Sequence, residues 1–183
     1  MRLPARSLLF CAAVLAGRAA EPVLTLATPG RTLAFTAAEF SALPHIELKA
    51  TDPHSKAERR FSGVPVSELL ARAGAPLGEK LRGAALAHMV IVRARDGYAV
   101  AFALAEFDAA FSPRVILLAD AEDGKPLAAG AAPLRLICPG DQKAARWARM
   151  VTTLELVSAG AAGGGEQPPR AGAPHRAAAP AHP

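Results

Sequence analysis

The side chains with the most chemical reach in this 183-residue sequence are one central thiol, three histidines and two groups of basic residues. The thiol is Cys138. The other cysteine, Cys11, lies in an apolar N-terminal stretch that is expected to be removed, so Cys138 has no partner for an internal disulfide. One thiol also cannot build a cysteine-based zinc or iron–sulfur site. His45, His54 and His88 lack the spacing that would put two imidazoles on one helix face. His54 near Asp52, in a polar loop, offers at most a weak metal site. Ser55, Ser62 and Ser67 have no nucleophile-elbow context. No catalytic residue and no metal site is therefore assigned. The basic residues Arg59, Arg60, Lys143 and Arg149, joined by Arg146, would suit an anion or a phosphate if they converged. If they do not converge, they are a solvated basic surface. Asp96 and Tyr98 flank Gly97, where Tyr98 reads as a hairpin anchor. Trp147 reads as a packed cover.

The overall charge of +5 suggests a nucleic-acid binder until the charges are located. Arg2, Arg6 and Arg18 belong to the N-terminal stretch, and the C-terminal stretch carries Glu166, Arg170 and Arg176. The central part is left close to neutral, which excludes the electrostatic footprint of a phosphate-backbone binder. Residues 1–19 read as a signal peptide: basic Arg2 and Arg6, an apolar run from Ser7 to Ala16, then Gly17-Arg18-Ala19 with small residues at −3 and −1. The expected location is periplasmic or secreted. The apolar run is too short to span a bilayer, and the leader has no adjacent arginine pair. Residues 159–183 are almost wholly Ala, Gly and Pro and are expected to be disordered. One domain is expected over 20–158.

The positioning elements follow from local chemistry. Val23 to Leu26 and Thr32 to Phe35 flank Pro29-Gly30 and predict a β-hairpin. Thr36-Ala-Ala-Glu39 is a capping box that starts a short helix, ended by Pro44. Ile46 to Thr51 alternates like a strand, and Asp52 to Lys56 is a polar loop. Pro65 to Ala73 predicts an amphipathic helix closed by Gly74. Met89 to Arg95 and Tyr98 to Phe102 surround Asp96-Gly97, a strong hairpin signal. Leu104 to Ala110 reads as a short helix and Val115 to Ala119 as a buried strand. Asp123-Gly124 makes a turn. Leu134 to Cys138 is a strand stopped by Pro139-Gly140, and Val151 to Val157 is the last strand. Brief helices among short strands predict an α+β fold with a mixed, largely antiparallel sheet.

Four segments carry a family resemblance. Phe61-Ser-Gly-Val-Pro-Val-Ser-Glu-Leu-Leu70 with Gly74 is similar to an aromatic-x-Gly-Val segment and its two-leucine helix. Arg95-Asp-Gly-Tyr98 and Asp123-Gly-Lys-Pro-Leu127 look like that family's two turns. Ala132-Pro-Leu-Arg-Leu-Ile-Cys-Pro-Gly140 with Arg146-Trp147 looks like its Pro-Leu-Arg-Leu segment and later basic-Trp pair. Together, in order from Phe61 to Val157, they resemble the molybdopterin-binding domain of the sulfite oxidase family.

The resemblance implies a pterin cofactor near Arg146, Trp147, Tyr98 and Asp96, with molybdenum held by the pterin dithiolene and one protein cysteine. That thiolate is expected upstream of the aromatic-x-Gly-Val segment, where this chain has Thr51 and Asp52. Cys138 lies in the wrong segment and shares a face with Leu134 and Leu136. The family's enzymes also carry a longer cofactor-binding sequence ahead of this region and usually use a twin-arginine leader. No cofactor is therefore expected. The expected role is an envelope binding or accessory protein with a small anionic ligand or a protein partner. The alternatives are a molybdopterin-dependent oxidoreductase with non-cysteine ligation through Thr51, Asp52 or solvent oxygen, and a structural interaction domain.

Overall fold

The computed structural model describes residues 20–158; the expected leader and tail lie outside them. The first hairpin forms as the sequence predicts, with β1 (Leu24–Thr28) paired antiparallel to β2 (Arg31–Phe35). Helix α1 (Ala37–Ser41) begins at the capping box. The Glu39 amide donates to Thr36 Oγ1 at 3.3 Å, and the Thr36 amide donates back to Glu39 Oε2 at 2.8 Å. Each bond satisfies a backbone donor that the first helical turn leaves without a partner. Next come β3 (Ile46–Thr51), β4 (Glu58–Pro65) and helix α2 (Val66–Arg72). Gly74, just past α2, takes φ +83°, a conformation that side chains disfavour.

The second half contains β5 (His88–Ala94), β6 (Ala99–Ala103), β7 (Leu117–Glu122), β8 (Lys125–Pro126), β9 (Arg135–Ile137) and β10 (Val151–Ser158). The strands form two sheets. One runs β2-β1-β10-β5-β6, and the other runs β3-β4-β7-β8 with β9 also paired to β7. Among the described residues only β1 and β10 pair in parallel, and every other pairing is antiparallel. The fold is thus α+β with mixed, largely antiparallel sheets. Leu24, Leu26, Val90, Val92, Phe102 and Leu154 of the first sheet share one buried core with Phe61, Val64, Leu117 and Leu118 of the second. Leu69 and Leu70 of α2 join it.

Three expectations are corrected. Strand β4 is absent from the sequence reading because Glu58, Arg59 and Arg60 open it without an apolar alternation. The strand expected at Val115 to Ala119 lies two residues later, since Val115 is exposed and pairing begins at Leu117. The helix expected at Leu104 to Ala110 is a 3₁₀ turn over Leu104–Phe107. It stops where the Asp108 carboxylate accepts instead from the Ala110 and Gly78 amides, at 2.9 and 2.5 Å. No helix among the described residues is long and apolar enough to cross a membrane.

Candidate functional site

Arg135 stands in the middle of an otherwise apolar strand, with buried Leu134 and Leu136 on either side. A cation in that setting needs carboxylate partners. Its guanidinium donates to Asp52 Oδ2 at 2.7 Å and to Glu122 Oε2 at 3.4 Å. Its Cζ lies 5.5 Å from the ring centres of both Phe61 and Trp147. This cation–π packing suits a delocalised guanidinium. Arg135 Nε is buried against these groups with no hydrogen-bond partner. Asp52 is the hub of the loop after β3: its Oδ1 accepts from the His54 and Ser55 amides at 2.8 and 3.1 Å. Burial alone would raise its pKa. The Arg135 hydrogen bond, the two amides and the Arg135 charge outweigh that and hold it below the usual carboxylate range.

Trp147 closes the same region. It is buried, stands edge-on to Phe61, and donates from Nε1 to the Cys138 carbonyl at 2.9 Å. The Cys138 thiol is fully buried and donates to the Arg146 carbonyl at 3.5 Å. Burial first, then the Asp141 charge, push its pKa up to about 12 against the opposing pull of Arg146 and Arg114. A thiol in that state is a packing group rather than a thiolate ligand. The expectation of a core thiol stands.

Arg146 points away from this region into an ion network. It reaches Asp141 at 2.7 and 2.9 Å and Glu106 at 2.8 Å. Arg114 bridges the same two acids, and Arg146 also lies 4.8 Å from the centre of the Phe102 ring. The Asp141 bond, followed by Glu106, raises the Arg146 pKa despite partial burial. Arg59 pairs with Asp123 at 2.9 Å, and Arg60 lies 3.8 Å from Glu47. Asp123 is held below its usual range by the Arg60 amide and then by Arg59. Both arginines line a polar dent beside Lys49 and Gly124, separate from Trp147. Lys143 is exposed at the start of a 3₁₀ turn over Ala144–Arg146.

Asp96, Tyr98, Trp147 and Arg149 do come together. They line a dent of about 250 Å³ with Ala144, Ala145 and Ala148. Asp96 Oδ1 accepts from the Tyr98 amide at 3.0 Å, and the Tyr98 hydroxyl donates to the Ala145 carbonyl at 2.5 Å. Tyr98 thus ties the β5–β6 hairpin to the Trp147 segment. A second cavity of about 390 Å³, which shares Trp147 and Arg149, is lined by Asp52, His54, Glu122 and Arg135. Ala144, Trp147 and Arg149 border both cavities.

The role of Arg135 is not evident from sequence, although the residue stands inside the Pro133-Leu-Arg-Leu136 segment. The signal was its place between two core leucines. The donor set does not fit a thiolate-ligated metal. Where the resemblance expects the cysteine, Thr51 is an exposed strand end and Asp52 is a hard carboxylate engaged by Arg135. Soft metal centres select soft sulfur ligands. Among the described residues, no three His, Cys, Asp or Glu side chains gather as a metal site.

Comparison with known proteins gives the family. No curated protein sequence matches. The family model for the oxidoreductase molybdopterin binding domain matches residues 37–164. Among solved structures, the sulfane dehydrogenase SoxCD from Paracoccus pantotrophus shares the fold, with a TM-score of 0.55 and 18% identity. That alignment covers 73% of this chain and 37% of the SoxCD chain, so this chain spans well under half of its relative. The chain belongs to the family of the oxidoreductase molybdopterin binding domain.

Proposed function

We propose that this protein keeps the molybdopterin-domain fold without a molybdenum centre and serves as an exported ligand-binding or accessory protein of the cell envelope. One observation carries the reading. The region where the resemblance looks for the cysteine holds Thr51 and Asp52, and the Asp52 carboxylate is engaged by Arg135 and by two backbone amides. Freeing it for a metal would break a charge-assisted pair and leave the largely buried Arg135 guanidinium with only its longer Glu122 contact. The remaining described thiol is buried and protonated. The leader-like N-terminus supports export, to the periplasm or beyond.

The charge layout refines the expected ligand. The five basic residues read as a possible anion cluster do not converge: Arg59, Arg60 and Arg146 are each held by acids. Only Arg149 borders the two cavities beside Trp147 without an ion pair among the described residues. A binding role therefore centres on the Trp147–Arg149 wall.

The deciding experiment purifies the protein from a host that makes the cofactor and measures molybdenum and released pterin. The expected result is neither, in a folded and exported protein. Near-stoichiometric metal and pterin would overturn the reading and make this an oxidoreductase with unusual ligation.

A further inference from the structure

The 250 Å³ dent beside the β5–β6 turn is lined by side chains of both signs. One lining residue is an anion, Asp96, and another is a cation, Arg149. They form no ion pair with each other or with any other described residue. Only Asp96 Oδ1 is engaged, by the Tyr98 amide. Tyr98, Trp147 and three alanines complete the lining. In the Glu106–Arg114–Asp141–Arg146 network, by contrast, acids and bases satisfy one another. Here one of each sign faces the same small volume unmatched.

From this layout we infer that the dent is a binding site for a small zwitterion, an amino acid or an amino-acid-like molecule. Its carboxylate would meet Arg149, and its ammonium group would meet the free oxygen of Asp96 and the Tyr98 ring. The inference rests on the ligand-binding reading above and names the ligand class. Charge selects the class. A simple anion gains Arg149 but is repelled by Asp96, and a simple cation meets the reverse. Only a ligand carrying both signs satisfies both walls. Guanidinium–carboxylate pairing supplies directionality, and an aromatic face favours an ammonium group. Size agrees: the dent holds on the order of eight waters' worth of space, below the usual drug-sized cavity.

The test is a two-dimensional amide NMR titration of the secreted form with glycine, alanine and 4-aminobutyrate. Acetate and methylammonium serve as half-ligands. Saturable shifts of the Tyr98, Ala145 and Ala148 amides with at least one zwitterion, absent with both half-ligands at equal concentration, are expected. Asp96→Asn keeps the acceptor for the Tyr98 amide, so the turn survives, and Arg149→Gln alters an exposed side chain. Each should weaken binding at least about tenfold, the share of one charge-assisted hydrogen bond. Equal shifts with acetate alone, no saturable shift with any zwitterion, or unchanged binding in both variants would overturn the proposal. Molybdenum is assayed in the same preparation, so failure of the parent reading is seen separately from failure of this site.

Discussion

At the scale of single residues, the chemistry turns on which polar groups are already engaged. Cys138 is the clearest case, because burial and the Asp141 charge keep it protonated. Folded protein lacking residues 1–19 should resist alkylation by iodoacetamide in mildly alkaline buffer and react only when denatured. Stoichiometric labelling of the native state would contradict the packing described. Asp52 gives a pH prediction. Its folded pKa is lowered, so the stability it contributes is in full above the unfolded aspartate value of about 3.9. That contribution is lost as pH falls through the folded value, because the unfolded chain takes up the proton first. Asp52→Asn keeps an acceptor for the two loop amides but removes the charge facing Arg135. It should cost about 3 kcal/mol at neutral pH and flatten the acid limb of a stability–pH curve measured by urea unfolding. An unchanged acid limb would show that Asp52 does not couple to Arg135.

At the scale of elements, the close approach of β4 and β7 is set by a missing side chain. A Cβ on Gly63 would stand 2.2 Å from the Leu118 carbonyl oxygen and 2.5 Å from Ala119 Cα. Those are backbone atoms of the neighbouring strand and cannot rotate away. The pairing is already irregular at this point, between Ser62 and Gly63. Gly63→Ala should destabilise the fold by about 3 kcal/mol, the upper range of overpacking, because the second sheet must open to admit one methyl group. Thermal unfolding would show it as a large drop in Tm, and an unchanged Tm would mean the strands can part at little cost. This glycine is the central residue of the aromatic-x-Gly-Val segment, so a sequence pattern here has a steric origin. Thr36→Ala at the α1 capping box is the mild contrast, costing about 1 kcal/mol by the same measurement.

At the scale of the whole molecule, two sheets and two short helices share one core, so they should unfold together. Trp147, the sole tryptophan, reports on the second sheet and the ion-pair region. Far-ultraviolet circular dichroism reports on all strands. The two probes should give coincident urea transitions, and separated midpoints would mean that the sheets are independent units. The same architecture places the Asp52–Arg135–Glu122 ion pairs and the Trp147–Arg149 wall side by side. It joins the loop after β3, strands β7 and β9, and the segment before β10.

Much of this was legible in the chain because local chemistry is short-ranged. The capping box, the Asp96-Gly97 hairpin, the α2 helix with Gly74, and the burial of Cys138 each rest on contacts within a few residues or on simple alternation. The α+β class and the family followed from their order. Strand β4 was hidden because its first half is charged, and a strand flanked on both sides is specified by its neighbours rather than by its own pattern. The fate of the arginines was equally hidden. Five basic residues look alike in sequence, yet tertiary placement gives Arg146 two acids, Arg59 and Arg60 others, and leaves Arg149 facing an open dent. Arg135, unremarked among leucines, becomes the residue that engages Asp52. Sequence alone determined which groups were present and what each segment would do by itself. Only the tertiary structure decided which charges meet, because a salt bridge depends on a few ångströms between residues as far apart as 52 and 135.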